Sequence, residues 1–241
     1  MEQLRHTVTN LLCLTHRHVH SISTSPQFPP HGRIPNFAGA NEAADRLTGL
    51  DAWAGAETLK ANPDAPQLPA RRRALAADKT VYMAVPRLRE ERCFYRLDPR
   101  ALEDLDAAAT VSGVADHAEQ VGPEAVDPVD LVLVGSVAVT TDGARVGKGE
   151  GYSDLEFAVL AELGLVDEET AVVTTVHERQ VVDDSVPVDD HDVPLDIVVT
   201  PERVVETETP HDRPTGIDWD ALSDERIEEI PVLAGRAPAD R

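Results

Sequence analysis

Residues 129–163 read VDLVLVGSVAVTTDGARVGKGEGYSDLEFAVLAEL, and this stretch constrains the fold more than any other. Val129–Val134 is apolar apart from Asp130, and β-branched residues dominate it. A short continuous run of that kind suits a parallel strand covered on both faces. Gly135-Ser136 follows, then Val137–Val139 and a turn at Thr141-Asp142-Gly143. After the glycine-rich run that begins at Arg145, a helix is predicted to start near Asp154. Leu155, Ala158, Val159 and Leu163 would face the core, and Gly164 would stop it. The predicted order is therefore buried strand, glycine-rich loop, helix.

That order has chemical consequences. In Arg145-Val146-Gly147-Lys148-Gly149-Glu150-Gly151-Tyr152, glycine recurs at every second position from 147. Residues without a Cβ let backbone N–H groups approach an anion. Arg145 and Lys148 supply charge for phosphate oxygens. The following helix would aim its N-terminus, where backbone dipoles favour negative charge, at the same point. Asp154 could be a helix cap or a ligand for Mg²⁺, a hard cation that prefers carboxylate and phosphate oxygens. The spacing G-K-G-E-G is neither the dinucleotide fingerprint nor the P-loop. A phosphate cradle and a plain glycine-rich turn both satisfy it.

The surrounding chain has the alternation of an α/β protein. A helix is expected at Asn41–Leu50, a strand at Thr58–Ala61, a helix at Arg71–Ala77 and a strand at Lys79–Val85. Further strands are expected at Ala171–His177 and Leu195–Thr200, and a helix near Ser223–Ile230, docked by Trp219, Leu222, Ile227 and Leu233. This argues for a three-layer, mostly parallel sheet with helices on both faces. Signals between Glu90 and Pro128 are weak. Arg71, Arg72 and Arg73 are either a solvated face paired with acids or an anion-binding wall. Arg87 is the better ligand candidate, because it follows the end of a strand.

Charge narrows the function. The chain carries 44 acidic and 22 basic residues, a net charge of -22, with the acids spread along it. A bulk electrostatic grip on nucleic acid needs a basic stripe and is disfavoured by this balance. The dispersed acidic excess instead suits a halophilic, salt-adapted cytoplasm, where self-repulsion is screened. Cys13 and Cys93 form no disulfide framework or metal spacing. No apolar run approaches the ~18 residues of a membrane span, and no signal-peptide pattern opens the chain. Residues 1–28 differ from the remainder, with one acid, Glu2, and with His6, His16, His18 and His20. They read as a disordered extension or a misassigned start, and the histidines lack a completing ligand set.

The motif resembles the signature of the 5-formyltetrahydrofolate cyclo-ligase family, roughly G-x-R-L-G-x-G-x-G-Y-Y-D. Gly143, Arg145, Gly147, Gly149, Gly151, Tyr152 and Asp154 fall on it. VPVDDHDVPLDIVVT, residues 186–200, looks like the family's C-terminal motif, and HGRIPNF, NPDAPQ and VGSVAV are similar to the branch of methenyltetrahydrofolate-synthetase-domain proteins. The resemblance spans about residues 29–235. It implies a fold of the sugar-isomerase and CoA-transferase type over 29–205, with 206–241 as a tail carrying the docking helix. It implies closure of 5-formyltetrahydrofolate, or a related pterin, to the 5,10-methenyl form with ATP and Mg²⁺, in a monomer or small homo-oligomer. In that scheme the formyl oxygen attacks the γ-phosphate, N10 closes on the activated carbon and phosphate leaves. By position, residues 145–152 line the ATP phosphates, with Arg145, Lys148 and Tyr152 in catalytic roles. Asp154 and Asp192 match the Mg²⁺ ligands, and Arg5 matches a basic ATP-contacting helix.

The chain departs from the family pattern on one side. Gly135-Ser136 and Val139-Thr140 stand where active cyclo-ligases have Pro-Gly and Phe-Asp, and Ser153 replaces the second Tyr. The folate-contacting Glu has no counterpart in Asn62-Pro63-Asp64. The phosphate and metal half is kept and the folate half altered. Two expectations follow: a cyclo-ligase, or a non-catalytic nucleotide-binding or regulatory member of the same fold family.

Overall fold

The structure is a computed structural model and describes residues 33–238. Arg5, Cys13 and the four N-terminal histidines lie outside the described residues.

In chain order the elements begin with α1 (Ala40–Leu47), α2 (Asp51–Gly55), β1 (Thr58–Ala61), α3 (Leu68–Ala76) and β2 (Thr80–Ala84). They continue with β3 (Phe94–Leu97), α4 (Leu105–Ala108), α5 (Val114–His117), β4 (Glu119–Val121) and β5 (Leu131–Val134). Then come β6 (Ala138–Val139), β7 (Arg145–Val146), α6 (Tyr152–Glu162), β8 (Ala171–Thr175), β9 (Ile197–Val199) and β10 (Val204–Glu206). The last are α7 (Asp224–Glu229) and α8 (Pro231–Ala234).

Eight strands form one sheet in the order β10-β9-β8-β5-β1-β2-β3-β4. The inner run from β9 to β2 is parallel. β10, β3 and β4 pair antiparallel at the edges. The expected mostly parallel sheet is thus observed, with β3 and β4 coming from the stretch whose signals were weak.

The apolar strands are apolar because both faces are covered. On β5, Leu131 and Leu133 enter one core cluster while Val132 and Val134 enter the other. On β2, Val81 and Met83 divide from Tyr82 and Ala84 in the same way. This is the period of two that a pleated strand imposes. The cluster that holds Val132 and Val134 is closed by Phe157, Val159 and Leu160 of α6 and by Ile227, Ile230 and Leu233 near the C-terminus. The cluster that holds Leu131 and Leu133 is closed by Ala43, Ala44 and Leu47 of α1, Trp53 of α2 and Ala70, Ala74 and Leu75 of α3. Each fully buried leucine contributes about 1.5–3 kcal/mol. Asp130, the polar exception in its strand, accepts from the N–H groups of Glu57 (2.8 Å) and Thr58 (2.9 Å), fastening the start of β1 to β5.

Several local expectations need correction. The first helix splits at Thr48-Gly49-Leu50 into α1 and α2. The triple-arginine helix starts at Leu68, before the arginines. α6 starts at Tyr152, two residues before Asp154. Its buried positions include Phe157 and Leu160, whereas Leu163 is half-exposed, because the helix lies between the sheet and the C-terminal segment. Gly164 does end it, in a left-handed conformation at φ 68°. The helix near Ser223 forms, and Ser223 caps it by accepting from the Arg226 N–H at 3.2 Å.

Candidate functional site

The carboxyl ends of β1, β2 and β5 meet in one place, where open α/β sheets put their ligands. β1 runs into Asn62-Pro63-Asp64, β2 into a 3₁₀ turn at Pro86–Leu88, and β5 into Gly135-Ser136. A Cβ on Gly135 would lie 2.6 Å from Asp64 Oδ2, so the β1 and β5 loops touch across that glycine.

Arg145 reaches this place on a hairpin the sequence did not reveal. β6 and β7 pair antiparallel, with Val139 opposite Arg145. The turn between them holds Gly143 at φ 91°, and a Cβ there would sit 2.6 Å from Leu195 O. Thr140 Oγ1 accepts from the Ala144 N–H at 3.0 Å and closes the turn. The Arg145 side chain, 4% exposed, forms an ion pair with Asp154. Its Nε donates to Val193 O at 3.2 Å, and Val193 N–H donates to Asp154 Oδ1 at 3.1 Å. These contacts close a triangle joining β7, α6 and the segment before β9.

Asp154 is therefore not the helix cap. The cap position belongs to Gly151, in the left-handed region at φ 69°, and no side chain caps the helix. The N–H groups of the first turn of α6 are open to an anion. Gly149 is also left-handed, at φ 88°. No atom lies within 4 Å of a Cβ built on either glycine, so it is backbone conformation, not crowding, that requires glycine at both.

The charged groups of the loop lie against carboxylates. Lys148 Nζ stands 3.7 Å from Asp64 Oδ1 and 3.8 Å from Glu150 Oε2. Glu150 also accepts from Arg87 Nη2 at 3.2 Å, which brings Arg87, at φ 62°, to the rim of the site. Asp192 is half-buried and accepts from the Asp189 N–H at 2.9 Å. Burial pushes its carboxyl above the usual carboxylate range, and the negative charge of Asp154 pushes the same way. Asp154 and Asp192 are thus electrostatic neighbours. Among the described residues no group of three or more His, Cys, Asp or Glu is arranged to hold a metal.

Tyr152 faces the C-terminal segment. Its hydroxyl accepts from Arg226 Nη1 at 2.9 Å, and the Arg226 guanidinium lies 4.2 Å from its ring centroid. A cleft of about 140 Å³ opens beside it, lined among others by Glu150, Asp154, His191, Ile217 and Arg226. That is small against the ~300–1,000 Å³ that encloses a drug-sized ligand. Ser153, in place of the second signature tyrosine, donates to Asn62 Oδ1 at 3.3 Å.

The burial of two cations near the site was not read from the sequence. Lys60 of β1 is fully buried, pairs with Glu156 of α6 and donates to Asn62 Oδ1 at 3.1 Å. The signal was present: Lys60 occupies an inward position of a strand whose neighbours, Leu59 and Ala61, fill the other face. Arg71 is also buried. It donates to the carbonyls of Asn62 (2.5 Å), Asp64 (3.0 Å), Pro63 (3.2 Å) and Ala109 (3.0 Å). Burial lowers its pKa to about 10. Arg72 and Arg73 pair with Asp106 and Asp45. The triple arginine therefore combines a clamp on the β1 loop with a paired outer face, and no anion-binding wall forms there.

Comparisons with known proteins bear on this geometry. A model of the 5-formyltetrahydrofolate cyclo-ligase family matches residues 14–201. A Mus musculus methenyltetrahydrofolate synthase domain-containing protein is 46% identical over 220 residues, 89% of this chain and 58% of the relative. The Homo sapiens protein of the same name is 42% identical over 211 residues, 85% of this chain and 54% of the relative. The chain thus spans somewhat over half the length of these relatives. The NMR structure of Aquifex aeolicus 5,10-methenyltetrahydrofolate synthetase superposes with a TM-score of 0.52 at 20% identity, covering 89% of this chain and 99% of that one. That last likeness concerns the fold.

Proposed function

Because the chain belongs to the 5-formyltetrahydrofolate cyclo-ligase family, we propose that it is an ATP- and Mg²⁺-dependent ligase that closes 5-formyltetrahydrofolate, or a related pterin, to the 5,10-methenyl form. The observation that carries this reading is a convergence. Arg145, Lys148 and the uncapped start of α6 come together with two neighbouring carboxylates where β1, β2 and β5 end.

The roles follow from the chemistry of each group. Arg145 is held rigid by Asp154 and Val193 O, so it presents a fixed positive charge to phosphate oxygens. Lys148 is one-third exposed and sits beyond hydrogen-bond distance from Asp64 and Glu150, so it can turn to a phosphate. The N–H groups at the start of α6 add neutral donors. Asp154 and Asp192 would hold Mg²⁺. The cation binds through one or two carboxylates plus substrate phosphates, so a third protein ligand is not required. The negative charge of Asp154 raises the cost of ionising Asp192, and a cation bound between them would relieve that repulsion. When bound, Mg²⁺ would offset charge on the transferring phosphoryl group. The protein's own contribution is positioning and charge neutralisation.

The deciding measurement is absorbance at the methenyl band with purified protein, ATP, Mg²⁺ and 5-formyltetrahydrofolate in high salt. Product formation is expected. ATP binding without product would leave a non-catalytic nucleotide-binding member of the fold. Asp154→Asn is expected to weaken Mg²⁺-dependent ATP binding. Unchanged binding in a calorimetric titration would reduce Asp154 to a tie between Arg145 and Val193.

A further inference from the structure

We propose that Arg226 is a positioning residue that holds the glycine-rich loop in its nucleotide-ready shape. This rests on the phosphate-binding reading of that loop. Arg226 belongs to α7, beyond residue 201, where the family match ends.

Otherwise the tip of the loop is held by ion pairs of partly exposed side chains, Lys148 with Asp64 and Glu150, and Glu150 with Arg87. Gly149 and Gly151 have positive φ and open space where a side chain would be, so no side chain packs the loop at those two positions. Arg226 restrains it from outside. Its Nη1 donates to the Tyr152 hydroxyl at 2.9 Å, its Nη2 donates to the Glu150 carbonyl at 2.9 Å, and its Cζ lies 4.2 Å from the Tyr152 ring centroid. One guanidinium thus grips the loop on both sides of Gly151, the residue that turns it into α6. Only a planar, forked cation can make two directed bonds and a ring contact together.

Arg226 itself is fixed in place. The Ser223 hydroxyl accepts from its N–H, and the next residue, Ile227, is buried with Ile230 and Leu233 in the core cluster that α6 closes. The Arg226 side chain is 27% exposed, and its Nη1 lies 3.7 Å from Glu229 Oε2. Ordering the loop before the ligand arrives removes an entropic cost from binding. Arg226 also lines the cleft next to Glu150 and Asp154. The C-terminal segment therefore sets the shape of a site whose charged groups, Arg145 and Lys148, come from elsewhere.

The test uses the full chain, as wild type, Arg226→Ala, Arg226→Lys and Tyr152→Phe. Without ligand, amide hydrogen exchange is followed over residues 147–153 and over 213–236. With ligand, Mg²⁺-ATP is titrated calorimetrically. Arg226→Ala should speed exchange across 147–153 and weaken nucleotide binding about tenfold, with little change in melting temperature. Arg226→Lys should not restore affinity, and Tyr152→Phe, which keeps the ring, should lose less than Arg226→Ala. Faster exchange confined to 213–236, or unchanged affinity in Arg226→Ala, would overturn the proposal and make Arg226 a fastener of the tail alone. If wild type binds no nucleotide, the phosphate reading falls, and Arg226's role in nucleotide positioning falls with it; unchanged exchange over 147–153 would overturn the Arg226 proposal whatever the nucleotide does.

Discussion

Lys60 on β1 and Glu156 on α6 form an ion pair inside the protein, with the lysine side chain 0% and the glutamate 6% exposed. Asn62 and Ser153 extend it to the floor of the site. Removing one partner strands a buried charge. Lys60→Met and Glu156→Leu are each expected to cost about 3–5 kcal/mol in urea unfolding, and the double variant much less than the sum. Additive single effects would show that the two side chains do not depend on each other.

Arg71 satisfies the carbonyls of Asn62, Pro63 and Asp64 in one turn. Its truncation leaves buried acceptors unpaired, each at about 1–3 kcal/mol. Arg71→Ala is expected to destabilise by at least ~3 kcal/mol. Arg71→Lys should rescue little, because an ammonium cannot reach Ala109 and the loop together. A denaturation midpoint within error of wild type for the lysine variant would contradict this.

Asp192 should show a trade between stability and ligand binding. Its folded pKa is raised, so the folded chain holds that proton more tightly than the unfolded chain. The ionised form therefore costs stability above the raised value, and the cost fades as pH falls through it towards 3.8. Asp192→Asn, whose amide oxygen can still accept from Asp189, is expected to melt higher than wild type at neutral pH without Mg²⁺. It should lose Mg²⁺-dependent ATP binding. At a pH below the ordinary carboxylate range the melting difference should disappear. A lower melting temperature at pH 7 would mean that the Asp189 turn depends on the charge.

Net charge sets an expectation for salt. With -22 formal charges, self-repulsion opposes the compact state until it is screened. Raising monovalent salt from about 0.1 M to about 1 M shortens the Debye length from ~10 to ~3 Å. The melting temperature is expected to rise steadily across that range. A flat profile would show that the acids are already compensated locally, as Asp45, Asp106 and Asp196 are by Arg73, Arg72 and Arg213.

Local pattern made the sheet and the loop legible. LVLV in β5 and AVVTT in β8 announce buried strands because both faces of a covered sheet exclude water, and that demand is written residue by residue. Glycines at 149 and 151 announce a left-handed backbone for a similarly local reason. Arg145, Lys148 and Asp154 could be named as site candidates from the motif, and Asp192 from the resemblance of residues 186–200 to the family's C-terminal motif. What each charged group touches could not be read. Asp154 could be a cap or a metal ligand by sequence, and the structure, in which the β6–β7 hairpin brings Arg145 and Val193 onto it, removes the cap. Tyr152 belongs to the motif, but its partner Arg226 on α7 lies 74 positions away. No feature of the sequence paired Lys60 with Glu156, which α6 lays over β1. The sequence by itself determined the α/β class, the buried strands and the glycine-rich strand-to-helix junction, because backbone conformation and face-by-face burial are local demands. Only the tertiary structure decided which charges are partners, because a pairing depends on distances between segments far apart in the chain.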